Sequence, residues 1–303
     1  MSVVDRERIT IESPDGALRA TFVPSAGMLC SSLEYGATEL LAQNQGVAAY
    51  AERGATMGIP LLYPWANRLA GFSYSAAGLT VELPDDRSLI PADQNGLPIH
   101  GVVPGLLEWG AERRAGGELV AVLTWGESLG APYGCFPFDH VAEYRASFVG
   151  GSLAIEVSVA AGERPVPVSF GFHPYLSPGG PRGRYAIGTP AMRHLALDAR
   201  QIPTGSGEPQ DARRFELGEL TFDDGYDGVA DGSELTVAGE SAHLSVKFET
   251  GYPNAQVYAP AGRDFVCFEP MSAPTNALCE SSAPLVAPGE RFIARFSLTV
   301  SDP

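Results

Sequence analysis

Residues Phe292–Val300 read FIARFSLTV, and their side chains alternate with a period of two. In an extended chain, Phe296 and Leu298 fall on one side, and Arg295 and Ser297 fall on the other. This alternation is typical of a strand that has one face in an apolar core and the other towards water. We therefore predict an antiparallel strand at this place.

The same period of two recurs along the chain, whereas no long run has the period of a helix. The stretches that show it are LAIEVSV (Leu153–Val159), LSVKFET (Leu244–Thr250), ELVAVLTW (Glu118–Trp125) and HVAEYRASF (His140–Phe148). Short helical turns are expected near Ala48–Arg53 and Asp211–Leu217. The 35 glycines and 25 prolines are spread between the strands. The sequence thus predicts an all-β fold, a single large antiparallel β-sandwich domain over residues 1–303 with few short helices.

The composition and net charge of the chain limit the kinds of molecule that it is expected to bind. Hydrophobic residues make up 45% of the 303 residues, which is enough for a sizeable core. The formal net charge of −16 repels phosphate backbones and anionic lipid, so we expect neither nucleic acid nor a membrane as a partner. The N-terminus MSVVDRERITIES lacks a basic segment followed by a long apolar run, which favours a cytoplasmic protein.

The cysteines and histidines give no sign of a metal site. No C-x-x-C pair, no histidines at metal-ligand spacing, and no nucleotide-binding or serine-hydrolase motif occurs. We therefore expect no metal and no organic cofactor. Scattered cysteines in a chain of this length predict reduced and mostly buried thiols. They are Cys30, Cys135, Cys267 and Cys279.

His173 ends the apolar stretch VPVSFGFH. If Val168–His173 is a strand, the small residues Ser169 and Gly171 share its face and leave space beside the imidazole. Pro174 then stops the strand. Such a histidine suits contact with a small ligand, and it equally suits a core histidine whose hydrogen bonds are satisfied. Periodicity alone does not separate these alternatives.

Glu269 lies in DFVCFEPMSAPTNAL, where it shares a strand face with Cys267, and Pro270 is expected to stop the strand. A lone buried carboxylate is costly, so this side chain is either paired or shifted in pKa. The structural alternative is a buried ion pair with Arg68 or Arg263. A strand end that breaks at proline favours a functional site.

Two further histidines have informative neighbours. His100 lies in NGLPIHGVVPG, between turn residues. His140 stands at the start of a period-two run and is predicted to be structural, hydrogen-bonded at a strand start. His194 and His243 lie in polar surroundings and carry no signal.

Six segments, taken together and in this order, resemble the aldose 1-epimerase family, the galactose-mutarotase-like proteins. They are GIPLLYPWANRLAG, LPIHG, FPFDHVAEYR, GFHPYL, FDDGYDG and FVCFEPMSAPTNAL, and they span Gly58–Leu278. The resemblance implies a large antiparallel β-supersandwich, in agreement with the period of two. It also implies a cofactor-independent isomerase that interconverts the α and β anomers of a free aldose such as glucose or galactose.

The resemblance implies roles for the site residues. Glu269 matches the general base, His173 matches the general acid, and His100 looks like a second histidine near the ring oxygen. Asp223 looks like the aspartate that binds sugar hydroxyl groups, with the adjacent Asp224 as the alternative.

The segment Gly58–Gly71 mixes apolar and polar side chains in a way that a sugar explains. A sugar is apolar on its ring faces and polar around its rim. Trp65 or Tyr63 is expected to stack on a ring face, with loop packing as the alternative. Asn67 and Arg68 are expected to meet hydroxyl groups, and Arg68 resembles the family's sugar-binding arginine.

Two other functions remain open at this point. One is a non-catalytic carbohydrate-binding or sensing domain on the same fold, and the other is a hexose-6-phosphate 1-epimerase. His173 and Glu269 together favour catalysis, because binding alone needs neither. The acidic chain and the one evident arginine favour a neutral monosaccharide as the partner. The protein is expected to be a monomer or homodimer.

Overall fold

The computed structural model describes residues 6–114 and 116–303, and antiparallel strands dominate it. Nine strands form the largest sheet. In spatial order they are Arg213–Glu216, Ala186–Thr189, Ser233–Ala238, His243–Thr250, Arg291–Ser301, Ser152–Ala161, His140–Val149, Leu119–Trp125 and Gly110–Arg113.

A second sheet of eight strands carries most of the chemically interesting side chains. In spatial order seven of them are Pro203–Gln210, Met192–Leu197, Phe222–Asp227, Asn254–Ala259, Val266–Met271, Gly171–Phe172 and Leu61–Leu62. The eighth, Tyr175–Leu176, also pairs with Val266–Met271.

Smaller elements complete the described part of the chain. A four-stranded sheet contains Ile9–Glu12, Leu18–Val23, Leu29–Tyr35 and Thr38–Glu39, and two two-stranded sheets pair Ser73–Ala76 with Leu79–Glu82 and Val166–Pro167 with Leu285–Val286. The α-helices are Gly46–Arg53 and Ala131–Cys135, and the 3₁₀ helices are Pro104–Leu106, Glu127–Leu129 and Arg182–Arg184. No helix in the described ranges is long and apolar enough to cross a membrane.

The core lies between the two large sheets. Phe172 of the eight-stranded sheet meets Phe296 of the nine-stranded sheet with ring centroids 4.9 Å apart. The inward-pointing Ala294, Phe296 and Leu298 are fully buried, whereas Ile293 on the other face is 45% exposed. The predicted alternation and the all-β antiparallel fold are confirmed.

The helix predictions are confirmed at one place and wrong at the other. Gly46–Arg53 contains the expected turn, but Arg213–Glu216 is an edge strand that pairs with Ala186–Thr189. The reason is that the neighbouring strand forms hydrogen bonds with the backbone N–H and C=O groups of this segment, which a helix would pair internally. Helix Ala131–Cys135 was not predicted.

The four cysteines are free thiols, as the sequence predicts. Three are buried and Cys279 is half-buried. Burial raises the pKa of Cys135 to about 11, which keeps this thiol in its protonated form.

Candidate active site

A polar cavity of about 280 Å³ opens on the outer face of the eight-stranded sheet. Two directly paired couples on neighbouring strands line its floor, namely Gln256 with Glu269 and Asp223 with Tyr258. Six of the sequence-predicted site residues line it, namely Asn67, Arg68, His100, His173, Asp223 and Glu269.

Strand Val266–Met271 presents Glu269 to this cavity. Phe268 points into the core, and alternation turns Cys267 and Glu269 to the opposite face. The strand continues through Pro270 to Met271, so the expectation that Pro270 stops it is wrong by one residue. The Glu269 side chain is only 2% exposed, so its carboxyl group is almost completely removed from water.

His173 is fixed between the segment Gly58–Gly71 and the strand of Glu269. Its backbone N–H donates to the carbonyl of Pro60 over 3.3 Å. The sequence suggested that Gly171 leaves space beside the imidazole, but it does not. A side-chain carbon there would lie 2.6 Å from the carbonyl oxygen of Pro270. The small residue instead permits close approach of two backbones.

His173 and Glu269 face each other directly. Imidazole Nε2 lies 3.2 Å from carboxyl Oε1, and the two side chains are 7% and 2% exposed. Imidazole Nδ1 and carboxyl Oε2 have no hydrogen-bond partner within the described ranges. Both groups therefore retain an unused polar atom, which is uncommon for buried groups and typical of a site that accepts a ligand.

Burial shifts the pKa values of this pair in opposite directions. Desolvation raises the pKa of Glu269 well above 4.5, with a further rise from Asp223 and an opposing effect of Arg68. Desolvation and, to a smaller extent, Arg68 lower the pKa of His173 to about 3, against an opposing backbone hydrogen bond. Between these two pKa values the favoured state holds one proton for the two groups, without net charge.

His100 reaches the cavity through an uncommon backbone conformation, with φ at +62°. Its Nδ1 accepts the backbone N–H of Asn67 over 3.2 Å, so the neutral ring carries its proton on Nε2. The ring centroid lies 5.7 Å from that of His173. Burial, His173 and Arg68 together lower the pKa of His100 well below 6.5.

Arg68 is held from three sides. Its Nε donates to Asp93 over 2.9 Å, and its Nη2 donates to Asp223 over 3.1 Å. Its Nη1 donates to the side-chain oxygen of Asn67, which also accepts the Arg68 backbone N–H. This network fixes the guanidinium at the cavity wall. Arg68 does not pair with Glu269, so the buried ion pair considered from the sequence is absent from the described residues.

The alternation of side chains along the strand Phe222–Asp227 decides which of Asp223 and Asp224 faces the cavity. Asp223 lines the cavity, where its carboxylate accepts from Gln256 over 2.7 Å as well as from Arg68. Asp224 alternates to the other face and lies 3.4 Å from Nε2 of His194. Asp223 is therefore the aspartate that a ligand in this cavity meets.

The aromatic residues expected to stack on a ligand do not line this cavity. The Trp65 side chain is fully buried, and Tyr63 packs inside the core, where its hydroxyl group meets His140. The prediction of Trp65 as a ligand-binding residue is corrected on this ground. His140 starts its strand, with Nδ1 donating to the Phe138 carbonyl over 2.6 Å, and its structural role is confirmed.

Two tyrosines that sequence reasoning missed take the aromatic positions. The ring of Tyr175 stacks on His173 with centroids 4.4 Å apart and planes 8° apart. Tyr258 meets His173 edge to face at 5.7 Å. Tyr175 lies two residues after His173 in GFHPYL, and this proximity to a candidate site residue could have revealed it, although no strand spans Pro174. Tyr258 carries no such signal.

Comparison with solved structures shows the same fold in proteins of low sequence identity. The Slr1438 protein from Synechocystis sp. PCC 6803 is 22% identical, with a TM-score of 0.75 and coverage of 100% of this chain and 99% of that one. A putative aldose 1-epimerase from Escherichia coli K12 is 19% identical, with a TM-score of 0.76 and coverage of 98% and 100%. A galactose mutarotase-like protein from Clostridium acetobutylicum is 16% identical, with a TM-score of 0.80 and coverage of 100% and 97%.

No curated protein matches the sequence. A sequence model of the family described as aldose 1-epimerase, however, matches residues 7–299, which is nearly the whole chain. The chain therefore belongs to the aldose 1-epimerase family.

Proposed function

We propose that the protein is an aldose 1-epimerase that interconverts the α and β anomers of a free aldose such as glucose or galactose. The observation that carries the proposal is the buried His173–Glu269 contact beside a polar cavity. A cavity of about 280 Å³ suits a small ligand. Family membership supports an isomerase that acts on aldoses.

In the proposed reaction, Glu269 removes the proton from the C1 hydroxyl group and His173 delivers a proton to the ring oxygen. The bond between C1 and the ring oxygen breaks, which gives the open-chain aldehyde. Rotation about the C1–C2 bond and reversal of both transfers closes the other anomer. Each positioned transfer contributes on the order of 10²–10⁴-fold.

The proton count of the pair suits this scheme. Before ring opening the pair is carboxylate and imidazolium, and afterwards it is carboxylic acid and imidazole. Both forms hold one proton, and the opposite pKa shifts of Glu269 and His173 favour the carboxylic acid–imidazole form, which is the form that ring opening produces. Ring closure returns the pair to its starting form, so no external acid or base is consumed.

The remaining polar side chains are assigned to binding. Arg68 and Asp223 meet sugar hydroxyl groups, and Asn67 keeps Arg68 in place. His100 carries its Nε2 proton near the ring oxygen. A non-catalytic binding domain would not need the His173–Glu269 contact, which is why catalysis is preferred over that alternative.

The proposal is tested by anomer exchange with fresh α-glucose and α-galactose, corrected for the spontaneous reaction. We expect faster equilibration with the protein, and the same rate in EDTA, because side chains supply both proton transfers. Within the described ranges, no group of three histidine, cysteine or carboxylate side chains is placed to hold a metal ion. Loss of activity on chelation, restored by a divalent ion, would contradict the scheme.

Glu269→Gln separates catalysis from folding. The amide keeps the shape but cannot accept the C1 proton, so the rate is expected to fall by about 10²-fold or more. The variant should melt at or above the wild-type temperature at neutral pH, because the raised pKa means that unfolding lets Glu269 ionise and so destabilises the wild type. His173→Asn should lose activity to a similar extent. A stable Glu269→Gln with near wild-type exchange shows that the carboxyl group is structural.

A further inference from the structure

A second cavity adjoins the one that contains His173 and Glu269. It measures about 560 Å³, compared with about 280 Å³ for the inner cavity. The two cavities share the wall residues Thr56, Gln94, Ile99, His100, Tyr175 and Tyr258. A ligand whose anomeric carbon lies at Glu269 therefore has continuous space for a substituent that extends outward.

The outer cavity is lined by two arginines, Arg53 and Arg263. Neither lies within ion-pair distance of a carboxylate among residues 6–114 and 116–303. The inner arginine differs, because Arg68 is paired with Asp93 and Asp223. The outer cavity thus has two cationic side chains whose charges are not neutralised by a neighbour.

The carboxylate of Asp93 also lines the outer cavity but does not offset these charges. Its Oδ2 accepts from Arg68, and its Oδ1 accepts the backbone N–H groups of Asn95 and Leu97 over 2.8 and 2.9 Å. The side chain is 1% exposed. Its charge is therefore engaged inside the protein.

The placement of the two arginines has no single structural explanation. Arg53 ends a helix, where the helix dipole favours a cation, and its guanidinium donates to Gln45 over 2.7 Å. That reason does not apply to Arg263, which lies between the strands that carry Gln256 and Glu269 into the inner cavity. Both arginines nevertheless line the same cavity.

The acidity of the whole chain does not oppose an anion here. Charges on the exposed surface are screened over about 8 Å at physiological ionic strength, so the arginines in the cavity wall dominate locally. The planar guanidinium group matches the oxygens of phosphate and carboxylate. The sequence-based preference for a neutral sugar counted Arg68 alone, since Arg53 and Arg263 join the site only through the fold.

We propose that the outer cavity is an anion subsite, and that the preferred aldose carries a phosphate or carboxylate group at the end remote from C1. This inference rests on the proposed 1-epimerase activity. The inner cavity holds the sugar ring with its free anomeric centre, and Arg53 and Arg263 hold the anionic group.

The substrate test compares kcat/KM for glucose, glucose 6-phosphate and glucuronate, corrected for spontaneous exchange. At least one anionic sugar is expected to exceed glucose by about tenfold, and added salt should reduce that preference. The two anionic substrates distinguish phosphate from carboxylate. A higher kcat/KM for glucose than for both would overturn the inference.

The variant test replaces both arginines, Arg53→Gln with Arg263→Gln. The kcat/KM of the preferred anionic sugar should fall about tenfold more than that of glucose. The control changes Arg213 and Arg214 to glutamine, because they line a separate cavity at the edge of the nine-stranded sheet. The control should keep the wild-type ratio.

Three further outcomes separate the subsite inference from the proposed function. The anion assignment would be overturned, in favour of a neutral second sugar, by two results together. Maltose would have the highest kcat/KM, and the double variant would lose as much kcat/KM for maltose as for the anionic sugar. If no aldose is epimerised, the proposed function fails. If glucose is epimerised without an anionic preference, only the subsite inference fails.

Discussion

His173 and Glu269 derive their chemistry from burial rather than from charge alone. At low pH the pair gains a second proton as His173 is protonated at about 3, and the base is lost. At high pH the pair loses its only proton when Glu269 ionises above its raised pKa, and the acid is lost. The single-proton form on which the proposed reaction depends therefore extends from about pH 3 up to the raised pKa of Glu269, whereas ordinary values would confine it to the interval between about 4.3 and 6.5.

The pH dependence of anomer exchange tests this pairing. We expect kcat/KM, corrected for the spontaneous reaction at each pH, to have its acid limb near pH 3, because the pKa of His173 is lowered to about 3. Exchange without protein, in each buffer, supplies the correction. An acid limb with a midpoint near 6.5 would mean that an ordinary histidine governs the reaction.

Arg68 is expected to bind and orient hydroxyl groups rather than transfer protons. Arg68→Ala should raise KM at least as much as it lowers kcat, and it should lower the melting temperature because Asp93 loses its partner in a buried position. Arg87→Ala is a suitable control, since that side chain is 46% exposed and its ion pair is with Asp85, which is 70% exposed. A fall in kcat with KM unchanged would instead give Arg68 a role in the transition state.

The place of a residue in the candidate site could be predicted from the sequence for some residues and not for others. Glu269 and His173 stand at polar positions in otherwise apolar strands, and burial of such groups always needs a reason. Trp65 and Tyr258 give no such signal, because a large aromatic residue in an apolar segment fits a core and a ligand site equally well. Only the neighbouring strands decide which face each ring joins.

At the scale of elements, the close contact of two strands aligns the proposed catalytic pair. Gly171 pairs with Met271, and its strand precedes His173 while the partner strand carries Glu269. A side-chain carbon at position 171 would lie 2.6 Å from the Pro270 oxygen and 3.0 Å from Ala66 Cβ. The separation of His173 and Glu269 therefore depends on the absence of that carbon.

Gly171→Ala should disturb both stability and catalysis. We expect a loss of about 1–3 kcal/mol in the free energy of unfolding from overpacking. Exchange should slow by up to about 10²-fold, because a displacement of about 1 Å is enough for such a loss. Gly134→Ala is the matched control, since a side-chain carbon there has no neighbour within 4 Å. Wild-type activity in a Gly171→Ala protein would show that the strands have room to adjust.

Strands whose side chains alternate with a clear period of two could be predicted from the sequence. Strands that form only because a neighbouring strand pairs with them could not. Ser152–Ala161 and Arg291–Ser301 alternate over many residues and were found. Arg213–Glu216 is short, polar and exposed, so nothing in its own four residues separates a strand from a helical turn. Its pairing with Ala186–Thr189 decides the outcome, and that partner is remote in the sequence.

At the scale of the whole molecule, the order of strands in space mixes distant parts of the chain. Arg291–Ser301 lies in the middle of the nine-stranded sheet, between His243–Thr250 and Ser152–Ala161. The main core cluster contains residues from Ile11 to Leu298. No cut through the sequence divides this core into two separate parts, which supports our proposal that the chain folds as one domain.

One domain predicts one cooperative unfolding transition. Backbone circular dichroism and tryptophan fluorescence should report the same urea midpoint, since Trp65, Trp109 and Trp125 are all buried in the same cluster. Removal of residues 291–303 should abolish folding, because it takes away a central strand and not an edge strand. The two strands beside Arg291–Ser301 would lose their hydrogen-bond partner, and Phe172 would lose its contact with Phe296. Separate midpoints for the two probes, or a truncated chain that still melts cooperatively, would mean that part of the molecule is stable without this central strand.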